Sequence, residues 1–307
     1  MQINRFVMVA CAALAVMPSL PALRAVAQAV PSHSVSTPNV AVGPQYDTTH
    51  VYVAPADVDR FVASFLGTFG GQSTKQVVAT VTPVPSSTTS QLLHTPAGNV
   101  SLFGFKTPVP FPFGAERTGY LVTDMDVAIQ AARDSGADVL VAPFNDPIGR
   151  DAIIQWPGGV NMQLYWHTTP SSAAPLPTIP ENRVYLSPVR VAAFVESFLS
   201  FSHGRVVSDD MQAPGVEIGR ANESYRRIRI ESAFGKLTAL VTDGHLPFPY
   251  GFETTGYEVA SLTETLAKAK SLGVTILMAP YSSGQRDAAV VEFPGGYIAE
   301  IHAQSRR

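Results

Sequence analysis

The chain carries one decapeptide twice. Phe111-Pro-Phe-Gly-Ala-Glu-Arg-Thr-Gly-Tyr120 returns as Phe248-Pro-Tyr-Gly-Phe-Glu-Thr-Thr-Gly-Tyr257, with seven of ten positions identical and Phe113 exchanged for Tyr250. Each copy is followed by a helix-like run, an apolar run, and then Trp156-Pro-Gly-Gly159 or Phe293-Pro-Gly-Gly296. Two copies of one supersecondary unit are the simplest account, and they restrict the chain to folds built by repetition. Glu116 and Glu253 hold the same place in both copies. A carboxylate there could serve as a general base at a pocket mouth. Its duplication favours a structural task instead, capping the backbone amides of Thr118 or Thr255. Tyr120 and Tyr257 read as core aromatics at strand starts.

Length, 307 residues, allows one large or two ordinary domains. Hydrophobic residues at 46% against 15% charged give a globular chain, and 25 prolines give it long connections. A net charge of −3 provides no footprint for nucleic acid or for an anionic membrane. The N-terminus reads as a secretory signal over residues 1–29: Arg5, an apolar run from Phe6 to about Leu20, and Ala27-Gln28-Ala29 as the cleavage site. Pro18 and Pro21 interrupt that run, which argues against a membrane anchor and for a periplasmic or secreted product with no stable membrane insertion. Cys11 sits too early for a lipoprotein. It is the only cysteine, so the mature chain has no disulfide, thiolate metal site or cysteine nucleophile.

Residues 30–46, rich in Pro, Ser, Val and Thr, read as a flexible leader. A first half follows over 47–167. Thr49–Val53 suits a strand, Asp57 a helix N-cap, and Val58, Phe61, Val62, Phe65 and Leu66 recur at helical spacing. Gln76–Thr82 is strand-like, Pro83–Ser90 a loop, and Asn99–Phe105 a strand. Tyr120–Thr123, a helix to about Arg133, and strands at Asp138–Ala142, Asp151–Gln155 and Val160–Tyr165 complete it. Proline and serine mark 168–182 as a linker. The second half, 183–303, repeats the order, with strands that include Val216–Ile218, Ser224–Glu231 and Lys236–Val241.

Laid out in this way, the chain resembles the vicinal-oxygen-chelate superfamily of glyoxalases, bleomycin-resistance proteins and extradiol dioxygenases. The resemblance rests on His50-Val-Tyr-Val-Ala-Pro-Ala-Asp57 running into Phe61-Val-Ala-Ser-Phe-Leu-Gly67, and on the ending Phe293-Pro-Gly-Gly-Tyr-Ile-Ala-Glu300. It covers nearly all of the mature chain and implies an α+β fold of repeated βαβββ modules, in two homologous halves, curled into cups. The repeat allows two closures: the halves on each other, or on a second copy in a homodimer.

The resemblance also implies a divalent metal, Zn, Ni, Mn or Fe, with ligands from the opening and closing strands and no nucleotide cofactor. Those strands offer His50 and Arg183, and Gln163 and Glu300. A guanidinium cannot ligate a metal. Two arrangements therefore stand open. In one, His50, Gln163 and Glu300 hold the ion, Glu300 doubles as catalytic base, and Arg183 orients an anionic substrate in an enediolate-type lyase or isomerase reaction. In the other, Arg183 pairs with Glu300, and the cup is a metal-free binding site of the bleomycin-resistance kind. An extradiol dioxygenase fits less well, since its iron takes two His and a carboxylate. Convergence of His50 and Glu300 decides between the arrangements. His302 shares the face of Glu300 on a strand, and His245 precedes the second decamer; His94, His167 and His203 read as solvated.

Overall fold

The computed structural model describes residues 37–305, so the expected signal segment, with Cys11, lies outside it. Four βαβββ modules follow in order. The first runs β1 (Thr48–Tyr52), α1 (Val58–Phe69), β2 (Gln72–Ser73), β3 (Val77–Ala79), β4 (Thr88–Thr95) and β5 (Gly98–Phe105). The second is β6 (Thr118–Leu121), α2 (Met125–Asp134), β7 (Asp138–Asn145), β8 (Gly149–Trp156) and β9 (Val160–His167). The third is β10 (Glu181–Leu186), α3 (Val191–Ser202), β11 (Arg205–Pro214), β12 (Ser224–Ser232) and β13 (Gly235–Val241). The fourth is β14 (Thr254–Glu258), α4 (Leu262–Ser271), β15 (Thr275–Ser283), β16 (Arg286–Phe293) and β17 (Tyr297–Gln304).

Consecutive modules share a sheet. One sheet runs β2-β4-β5-β1-β6-β9-β8-β7, with β3 beside β4; the other runs β11-β12-β13-β10-β14-β17-β16-β15. At each centre, the opening strands of two modules pair antiparallel, β1 with β6 and β10 with β14. Each opening strand also runs parallel to its own module's closing strand. The helix makes that parallel return possible, since a parallel neighbour needs a crossover. Each curled sheet is a cup closed within its own half of the chain.

Side-chain alternation then separates cup from core. On β1, Thr48, His50 and Tyr52 line the concave face while Val51 is fully buried behind it. The helices cover the convex faces, and they do so across the halves. One core joins Phe61 and Phe65 of α1 to Leu262 and Leu266 of α4, with Tyr257, Phe293 and Tyr297. Its counterpart joins Ile129 of α2 to Phe194, Phe198 and Phe201 of α3, with Tyr120, Trp156 and Phe234. Trp156 meets Phe198 edge-on at 5.8 Å, and Tyr120 stacks on Phe234 at 4.6 Å.

Several expected elements differ. The stretch 83–90, expected as a loop, ends inside β4, whose Thr-Thr-Ser-Gln-Leu-Leu-His-Thr sequence lacks apolar alternation because part of it faces a cavity. Val216–Ile218 is not a strand but part of a 3-10 turn, Gly215–Ile218, closed by Gly219 at φ 77. The strand of that module is β11, an edge strand exposed over most of its length and bulged twice. The part of the expected leader that is described is bound to the body: Val40 is buried, Ala41 bridges Val122, and Thr37 donates to the Ser200 carbonyl. Strand β10 begins at Glu181, two residues inside the expected linker.

Candidate functional site

The two cups can be superposed by strand register alone. His50 faces Ser101 across β1 and β5, as Arg183 faces Thr238 across β10 and β13. Gly119 faces Gln163 as Gly256 faces Glu300. His50 and Arg183 are therefore equivalent positions, and so are Gln163 and Glu300. The four residues singled out from sequence form two pairs in separate cups: His50 with Gln163 in the first, Arg183 with Glu300 in the second. The shell of His50, Gln163 and Glu300 does not assemble. Glycine at the centre of each repeated Thr-Gly-Tyr lets these side chains lie across the cup floor. A Cβ on Gly119 would stand 2.4 Å from His50 Nε2, and one on Gly256 would stand 3.4 Å from both Arg183 Cδ and Glu300 Oε1.

The second cup is filled by charge. Arg183 Nη1 lies 2.8 Å from Glu300 Oε2 and 3.1 Å from Glu181 Oε1. Arg286 spans the same two carboxylates, 2.8 Å from Glu181 Oε2 and 3.2 Å from Glu300 Oε1. Tyr281 donates to Glu300 Oε2 at 3.3 Å. His302 Nδ1 stands 3.1 Å from Glu300 Oε1 but lacks hydrogen-bond geometry. Higher in the cup, Glu217 accepts from Arg227, Tyr225 and Ser283. Burial alone would raise the Glu300 carboxyl, but the Arg183 guanidinium, with His302 and Arg286, brings it down to about 2. Both oxygens of Glu300 are engaged by guanidinium groups, and the free volume beside Arg183, Glu217 and Glu300 is about 10 Å³. That is about the room of a single water, 10–15 Å³.

The first cup is open. A cavity of about 180 Å³ lies over His50, lined by Tyr52, Phe103, Phe113, Asp151, Gln163, Tyr165 and His167 among others. His50 Nδ1 faces Glu116 Oε1 at 3.4 Å, and Tyr52 donates its phenol to the same oxygen. Glu116, fully buried, thus holds the floor of the cup and does not cap Thr118. Burial pushes the Asp151 carboxyl well above the usual carboxylate range, and the charges of Asp146 and Glu116 push it further, against a hydrogen bond from Gln163. Asp151 was not singled out in the sequence, and His167, expected to be solvated, lines this cavity instead. Counting by twos from Gln163 along β9 reaches Tyr165 and His167, and Asp151 is a lone carboxylate opening the apolar run Ala152-Ile-Ile154.

Among the described residues, no three His, Cys, Asp or Glu side chains come together as a metal-holding set. His50, Gln163 and Asp151 line the first cup together. Glu253 sits elsewhere, in a cleft between the halves with Arg117, Phe248, Phe252 and Tyr297, and its Oε1 lies 3.5 Å from Thr118 Oγ1. Burial pushes its carboxyl up to about 8, opposed by Arg117 and helped by Glu116. His245 is exposed at φ 57, His94 faces Asn99, and His203 closes α3.

No family model and no curated protein sequence matches the chain. Solved structures do match in shape. The chain superposes on a 4-hydroxymandelate synthase variant from Streptomyces coelicolor with a TM-score of 0.55 at 14% identity, over 87% of this chain and 92% of the other. A homoprotocatechuate 2,3-dioxygenase variant from Brevibacterium fuscum gives 0.53 at 12%, over 90% and 75%. The Mn(II)-bound glyoxalase from Novosphingobium aromaticivorans gives 0.50 at 13%, over 83% and 80%. This is the vicinal-oxygen-chelate fold. At such identities the likeness extends to the fold alone, and the cups' contents decide what the chain can do.

Proposed function

We propose that the chain is an exported small-molecule-binding protein of this fold, which takes its ligand in the first cup without a metal. The difference in free volume carries the reading: about 180 Å³ over His50 against about 10 Å³ over Arg183. A concave, largely apolar cavity with a few convergent polar groups is the ordinary form of a small-molecule site. Export is supported by Arg5, the apolar run behind it and Ala27-Gln28-Ala29.

The lyase or isomerase reading needs an ion that chelates two substrate oxygens and stabilises an oxyanion. Glu300, the intended base and anionic ligand, is bound by Arg183 and Arg286 in the other cup. His50 and Gln163 are left in the first cup without Glu300, and the sequestering reading fits them without further groups.

The test is metal analysis of the signal-cleaved protein purified under metal-replete conditions, together with a thermal-shift screen of small molecules. The expected result is no stoichiometric divalent ion, and at least one compound that raises Tm in the wild type but not in Phe103→Ala. A ligand at a hundred times its Kd adds about 2.7 kcal/mol to stability, which a melting curve resolves. About one ion per chain, lost in His50→Ala, would return the chain to the metal-enzyme reading.

A further inference from the structure

The first cup differs from the second in how its charge is paired as well as in its volume: the arginines of the second answer Glu181, Glu217 and Glu300. Arg183, Arg227, Arg229 and Arg286 stand in the second half's cup or on its strands, and no Lys or Arg lines the first cavity. The carboxyl groups lining the first are Asp146 and Asp151, with Glu116 behind His50, and the imidazoles of His50 and His167 share the wall. Asp151 is 7% exposed, and no ion pair among the described residues includes Asp146 or Asp151. Asp146 accepts instead from the backbone amides of Ile148 and Gly149, which fixes its carboxyl at the cavity wall. The Thr48 hydroxyl, also buried and lining the cavity, has no hydrogen-bond partner in good geometry.

A buried carboxylate without a counter-charge is costly unless something enters to pair with it. The rest of the wall is suited to a cation. Tyr52, Phe103, Phe113 and Tyr165 turn aromatic surface to the cavity, and ring faces attract ammonium groups. The room suffices for one ring and a short tail, since a cavity of about 150 Å³ holds benzene.

We propose that the ligand of the first cup is an organic ammonium ion with an aromatic body, its charged head against Asp151 and its ring among Phe103, Phe113 and Tyr165. This rests on the binding reading above and names the ligand class for that site. Thr48 Oγ1 accepts one N–H of the head, and Asp146 adds long-range attraction. An anionic ligand meets the Asp146 and Asp151 carboxyls with no Lys or Arg in the lining to hold it.

The experiment is calorimetric titration of the full signal-cleaved chain at physiological salt with three probes of one shape: 2-phenylethylamine, 2-phenylethanol and phenylacetate. The expected result is binding of the amine about tenfold or more tighter than the alcohol, with no detectable binding of the acid. Asp151→Asn brings the amine down to the level of the alcohol, while Asp126→Asn, which removes an exposed partner of Arg150, changes nothing. The wild-type comparison stands by itself if Asp151→Asn does not fold. Equal binding of amine and alcohol, or preference for the acid, overturns the inference while the cup remains a binding site. Binding of none of the three also overturns it. Tight uptake of Mn²⁺ or Zn²⁺ alone, abolished in His50→Ala, overturns both this inference and the metal-free reading.

Discussion

Arg183 shows how one side chain settles the use of a whole cup. It is 3% exposed and lies between Glu300 and Glu181, so its removal leaves these buried carboxylates with Arg286 as the one guanidinium among the described residues paired to both. Breaking a buried pair from one side costs about 3–5 kcal/mol. Arg183→Met should lose stability of that order in urea unfolding, and a loss under about 1 kcal/mol would show that the network does not hold the cup. Glu253 supplies a pH signature of the opposite kind to a paired carboxylate. Its folded value, about 8, lies above the ordinary 4.5, so the folded chain keeps a proton that the unfolded chain has released. Stability should therefore fall as pH rises from about 4.5 to 8, and Glu253→Gln should flatten that slope while leaving stability at pH 4 unchanged. Unfolding midpoints measured across that range would decide it; parallel curves for both proteins would count against a raised Glu253. Histidine at position 50 was recognisable from its neighbours in sequence, but its partner Glu116 was not. The two lie on different strands' approaches, and only the fold brings Nδ1 to the carboxylate.

Helices were the most legible elements because each shows one apolar stripe. On α1, Val58, Phe61 and Phe65 are buried at the spacing the sequence shows. Helix α2 also carries its start signal: Asp124 in extended backbone accepts from Val127 N at 2.9 Å. Asp124→Ala should cost about 1 kcal/mol. The corresponding contact at α4, Ser261 Oγ to Glu264 N, is 3.4 Å, so Ser261→Ala should cost less, and the same unfolding assay ranks the two. Strands were legible where one face meets a core and the other a solvent or polar cup. They were illegible at β4 and β11. The first carries polar residues toward a cavity, and the second is an exposed edge, so neither shows the apolar alternation by which a half-buried strand is recognised.

At the scale of the molecule, the halves share no cup but share both cores. Phe61 of α1 meets Phe293 and Tyr297 of the other half edge-on at 6.0 and 5.8 Å. Trp156 meets Phe201 at 5.2 Å in the reverse sense. Each half alone would expose one side of each core, a contiguous apolar face of the sort that drives association. Residues 37–175 expressed alone should be insoluble or should bind a hydrophobic dye. Co-expression with residues 176–305 should restore a soluble complex, and a monomeric, cooperatively unfolding 37–175 fragment would refute the interlock. The repeated decapeptide, the βαβββ order and the α+β class were present in the sequence, because turns, periodicity and repetition are local in the chain. Which opening strand shares a cup with which closing strand is not local. The sequence left two arrangements open, one shell of His50, Gln163 and Glu300 or a pair of Arg183 with Glu300, and the sheet order put Glu300 in the other cup beside Arg183. Register, set by backbone pairing between residues far apart in the chain, decided that one cup is packed with its own charges and the other left open to a ligand.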